Sequence, residues 1–129
     1  TPPWQRLPFQ DRYFTVAIPP VAPRSLVLLA DKPIAYVIPM MPRDARFVAV
    51  ANDIVRPGHD HRLARRVKDI VATHDGPLYL LEFAKKEAPG NAALAVHRLE
   101  RVAAECRPIV DGDVYGPKHL CPLRRLAAR

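Results

Sequence analysis

Between residues 62 and 74 the buried-type side chains repeat with the period of one helical face. Leu63, Val67, Ile70, Val71 and His74 fall on that face, while Arg62, Arg65, Arg66, Lys68 and Asp69 turn outward. Asp75-Gly76-Pro77 stops the helix, because glycine takes a left-handed cap and proline cannot continue the turn. The apolar run at 78–83 then predicts a short strand covered on both faces. A helix feeding a buried strand through a tight turn is half of a crossover unit.

Its neighbours read in the same way. Residues 1–12, with Trp4 and Phe9 among prolines, form an irregular arm, and residues 13–18 alternate as a half-buried strand ended by prolines 19, 20 and 23. Residues 25–30 (SLVLLA) predict the central strand, and 46–51 (RFVAVA) another. Between them Pro33 suits the first turn of a helix that Pro39 cuts short. Asn91 is a good cap for a second amphipathic helix with Ala92, Ala95, Val96, Leu99, Val102, Ala103 and Cys106 inward, ended by Pro108. Residues 107–110 and 119–123 predict a closing hairpin around Asp111-Gly112-Asp113, and 126–129 a frayed tail. The expected whole is one α/β domain over 1–129. Its architecture is three-layer and Rossmann-like, with a mixed, mostly parallel sheet, flanking helices and a C-terminal antiparallel hairpin.

Cys106 and Cys121 are the only cysteines. Opposed residues of a hairpin keep a constant index sum, which for this pair centres the turn between Asp113 and Val114, so the two face one another. A bridge there would contribute about 3 kcal/mol and place the chain in an oxidising compartment. The other reading is two buried, reduced thiols. No Cys-x-x-Cys is present, which excludes a zinc ribbon or a thioredoxin-type motif.

Composition changes this picture in two places. Fifteen prolines against five glycines put extended, kinked connections at the front of the chain. A net charge of +7 permits contact with phosphates or an anionic surface, but the basic residues are dispersed. The basic helix also lacks interleaved aromatics, which argues against nucleic acid as a partner. No stretch has the length of a membrane span, and the opening at Thr1, without methionine or signal pattern, suggests a piece of something longer or a mature product.

Candidate chemistry is sparse. Neither phosphate-cradling glycine motif occurs, so no cofactor is expected, and Ser25, the only serine, heads a strand rather than a nucleophile elbow. His59-Asp60-His61 offers two imidazoles but no third ligand by spacing, and reads as helix-start polar residues rather than a metal site. His97 and Glu100 sit at the spacing of an exposed helical ion pair. A ligand site would lie beyond the carboxyl ends of the parallel strands. There Asp31, Asn52, Asp53, Arg56, His59, His61 and Glu82 would converge on a sugar or phosphate.

The segments PRSLVLLADKPIAYVIPMMPRDARFVAV, GPLYLLE and CRPIVDGDVY…HLCPLRR together resemble the C-terminal soluble portion of bacterial multi-spanning, lipid-phosphate-sugar-dependent glycosyltransferases of the dolichyl-phosphate-mannose–protein mannosyltransferase kind. The resemblance spans most of the chain from Arg12 onward and rests on hydrophobic pattern and punctuation. It implies a non-catalytic appendage on the periplasmic face of an inner membrane. Its partner would be the transmembrane part of the same polypeptide, where the family's catalytic carboxylates lie. The alternative from the residues alone is a small free-standing enzyme using His59 or His61 as acid–base beside Asp53.

Overall fold

The computed structural model describes residues 18–31, 34, 37–39, 41–50, 62–113 and 115–127. The N-terminal arm, the strand expected at 13–18 except Ile18, the segment 51–61 ahead of the basic helix and the end of the tail lie outside the described residues.

The fold is α/β, with a mixed sheet of six strands: β1 (Leu26–Leu29), β2 (Arg46–Ala49), β3 (Leu78–Phe83), β4 (Leu99–Arg101), β5 (Arg107–Pro108) and β6 (Lys118–Arg125). The spatial order is β2-β1-β3-β6-β4, with β5 also on β6. β1 pairs in parallel with both β2 and β3, and β6 runs antiparallel to β3, β4 and β5. All four residues of β1 are buried, as its unbroken apolar run requires of a central strand. The described residues include two α-helices, α1 (Arg62–Thr73) and α2 (Ala88–His97).

Both helices pack on one face of the sheet. There Val67 and Val71 of α1 and Ala93 and Leu94 of α2 meet Leu26, Leu28, Leu78 and Leu80. On the other face Ile34, Val37 and Met41 of the β1–β2 connection, with Ile109, cover Val27, Leu29, Leu81 and Leu120. Strand alternation sorts the apolar residues of β1 and β3 between the two cores.

α1 and β3 stand where the pattern put them, with a narrower buried stripe: Leu63 is 53% exposed and only Val67 and Val71 are fully buried. Gly76 does not take the left-handed cap expected of it; it is needed for closeness, since a Cβ there would lie 2.6 Å from the carbonyl of Arg24. The last carbonyls of α1 are satisfied from the sheet: Arg125 of β6 donates to Val71 and His74, both at 2.7 Å.

The second helix departs from expectation. It begins at Ala88, Asn91 lies inside it, and it ends at His97 with Arg98 left-handed at φ 55°. Gly90, Ala93, Leu94 and His97 form the buried face, whereas Ala92, Ala95 and Val96 are exposed. Leu99 to Arg101 leave the helix to pair with Arg125, Arg124 and Leu123 of β6. Continuing the helix to Cys106 would strip that edge of its ladder, and unpaired buried backbone costs more than a shortened helix. Glu100 accordingly pairs with Arg124 across strands rather than with His97.

The closing hairpin forms as expected. Arg107 faces Leu120 and Pro108 faces His119, so the next opposed pair is Cys106 and Cys121, and these are joined by a disulfide. Between Arg101, opposite Leu123, and Arg107, opposite Leu120, the edge carries three more residues than β6. The single 3-10 turn Ala103–Glu105 takes them up. Among the described residues no helix is long and apolar enough to cross a membrane.

Candidate functional site

Glu82 interrupts the apolar run of β3. It follows Leu78 and Leu80 on the helix-covered face, where its side chain is fully buried. His119 lies directly across on β6, with Nε2 2.7 Å from Oε2 of Glu82. Arg101 reaches in from β4 as a fork, Nε donating to Oε2 at 2.7 Å and Nη2 to Oε1 at 2.8 Å. Its Nη1 donates to Asn91 Oδ1 of α2 at 2.6 Å and stands 3.9 Å from the Glu87 carboxylate. Gly90 covers the group: a Cβ there would collide with Oε1 of Glu82 and lie 2.9 Å from Nη2 of Arg101.

The electrostatics follow from this packing. Burial pushes the Glu82 carboxyl up, but the hydrogen bonds from His119 and Arg101, and the charges behind them, outweigh it and hold the group below its ordinary value. Arg101 is raised in turn, first by its hydrogen bonds to Glu82, with burial opposing. A carboxylate held ionised by a bidentate guanidinium and an imidazole is suited to locking three strands together, not to proton transfer.

A second buried pair sits next to it at the start of β6, on the opposite face of the sheet. Lys118 Nζ lies 3.0 Å from Asp111 Oδ2 with both side chains fully buried, donates to the Gly116 carbonyl at 2.7 Å, and stands 5.7 Å from the Phe83 ring centre. Asp111 Oδ1 accepts the Asp113 amide at 3.0 Å, which shapes the hairpin turn.

Of the residues expected at the strand-end crevice, Asn52, Asp53, Arg56, His59 and His61 lie outside the described residues. Asp31 is there, but ion-paired to Lys86 at 3.2 Å. Glu82 points under α2 instead of into the crevice. Arg101, His119, Lys118 and Asp111 have no local signal as charged partners. Only the pairing of β3, β4, β5 and β6 brings them to their counterparts, although their alternation with Leu99, Leu120 and Cys121 marks their strands.

Among the described residues, a basic and apolar surface lies at the opposite end of the sheet. A cleft of about 330 Å³ opens between α1, α2 and the end of β6, with Lys68, His97, Arg98 and Arg125 around apolar Val96 and Leu126. Val96 and Leu126 are 45% and 44% exposed. A second cleft, of about 520 Å³ at the start of β1, mixes Arg24 and Arg46 with Asp44 and Asp75, and Asp44 is already taken by the Arg24 amide at 3.0 Å. Among the described residues, one group of metal-ligating side chains converges: donor atoms of Glu82, His119 and Cys121 all lie within 4.8 Å of one another. The sulfur of Cys121 is committed to its disulfide. The chain matches no protein-family model, no curated protein and no solved structure.

Proposed function

We propose that this domain is a non-catalytic, extracytoplasmic part of a membrane-embedded, glycosyltransferase-like protein, and that it holds a lipid-linked sugar phosphate for the transmembrane part of the same polypeptide. The observation that carries this reading is the cleft between α1 and α2. Lys68, Arg98 and Arg125 supply cations for a phosphate, and the exposed Val96 and Leu126 supply apolar surface for the first units of a lipid chain. The disulfide accords with a periplasmic setting. The absence of catalysis in isolation is supported by Glu82, Asp111 and Lys118, whose charges are neutralised by buried partners. In the same reading the fold is three-layer and Rossmann-like, with the β1–β2 connection as the layer opposite the two helices.

Flotation with vesicles tests it. Neutral phosphatidylcholine vesicles carrying a polyprenyl phosphate should retain the domain, and vesicles matched in charge with phosphatidylglycerol should retain it far less. Lys68→Gln with Arg98→Gly should abolish the difference; Arg125 is left in place because it caps α1. Equal retention on both anionic vesicles, or none on either, overturns the reading.

A further inference from the structure

We propose that reduction of the Cys106–Cys121 bridge converts the corner around His119 into a zinc site whose ligands are the two thiolates, the His119 imidazole and the Glu82 carboxylate. The inference stands on the antiparallel half of the sheet and is independent of the cleft.

Register brings the four donors together. His119 and Cys121 are two apart on β6 and so share the helix-covered face, Glu82 is directly opposite His119 on β3, and Cys106 adjoins β5 on the other side of Cys121. Donor atoms of Glu82, His119 and Cys121 already lie within 4.8 Å of one another. Tetrahedral zinc, with bonds of about 2.0–2.3 Å, spaces its donors about 3.3–3.8 Å apart, so closure takes side-chain shifts on the order of 1 Å. Two sulfurs, a nitrogen and a carboxylate oxygen are a donor set suited to zinc. The His119 side chain is 18% exposed and Cys106 half-buried, which gives the ion a way in, while Glu82 and Cys121 are sealed.

Charge balances in both states. With the bridge closed, Glu82 is answered by Arg101 and His119. With it open, two thiolates and the carboxylate bring three negative charges. Zn²⁺ and Arg101 supply three positive ones, with His119 neutral as a ligand. A dithiol donor passes two electrons and two protons to the bridge and is itself left as a disulfide; zinc binding then releases the two thiol protons to solvent.

The test uses the full chain, reduced with a trialkylphosphine, which offers no competing thiol, and titrated with Co²⁺ as a spectroscopic substitute for zinc. The reduced chain should bind one equivalent, showing sulfur-to-cobalt charge transfer and the visible bands of tetrahedral cobalt, both erased by Zn²⁺. The oxidised chain should show neither. His119→Ala should weaken binding at least about tenfold, and His74→Ala should leave it unchanged. Absence of charge transfer, octahedral bands, or equal affinity in His119→Ala overturns the proposal. If the reduced, metal-free chain loses its far-ultraviolet dichroism, Zn²⁺ should restore it with the same dependence on His119, and failure to restore it is equally fatal.

Discussion

The two halves of the sheet are held together by different physics. In the parallel half, β1, β2 and the start of β3 meet through leucines and valines, and burial without directional pairing does most of the stabilising. In the antiparallel half, β6 binds its neighbours through a buried Glu82–Arg101–His119 group, a buried Lys118–Asp111 pair and a disulfide. The first kind of contact tolerates exchange of one apolar side chain for another. The second depends on particular partners, so removing one leaves the other buried and unanswered. Damage to the molecule should therefore be graded by which half it strikes.

The sharpest break is Arg101→Ala, which leaves the fully buried Glu82 with only His119. It should cost about 3–5 kcal/mol, read as a fall in the urea midpoint. Replacing both cysteines by alanine opens the covalent tie between the edge and β6. The expected loss is about 3 kcal/mol in thermal or denaturant unfolding under oxidising conditions. Gly90→Ala drives a methyl group into Glu82 and Arg101 from above and should cost about 1–3 kcal/mol, although alanine is the better helix former. The mildest change is Leu28→Met in the parallel half, fully buried yet expected to cost less than about 1.5 kcal/mol. Should Leu28→Met prove worse than Arg101→Ala, the division into two kinds of half is wrong.

Acid separates the halves further. Glu82 has a lowered pKa in the folded chain, so its contribution is fully present above the unfolded value, near 4.5. It is lost as pH falls through the folded one. Hydrogen exchange on acidification should accordingly open β4 and β6 before β1, and Arg101→Ala should reduce that pH dependence.

The same division governs what could be read along the chain. The run at Leu78–Phe83 was legible to both ends because a strand covered on both faces is apolar at nearly every position, Glu82 excepted, and Asp75-Gly76-Pro77 punctuates it. The cysteine register was legible because a hairpin is local and its turn announces its centre. The second helix was not. Ala92, Ala95 and Val96 lie at helical spacing as convincingly as Gly90, Ala93, Leu94 and His97, and nothing local reveals that Leu99 to Arg101 are needed to complete the edge of β6. Nor does the neighbourhood of Glu82 mention Arg101, nineteen residues on, or His119, thirty-seven on.

Local chemistry thus settled the strands β1, β2 and β3, the helix α1 with its stop, and which two sulfurs meet, since period and turn act over a few residues. The neighbour of each charge, the end of α2 and the side of the sheet that gathers the basic cleft were settled when distant segments paired. A buried charge is tolerable only beside its opposite, and pairing of β3, β4 and β6 is what supplies that opposite to Glu82.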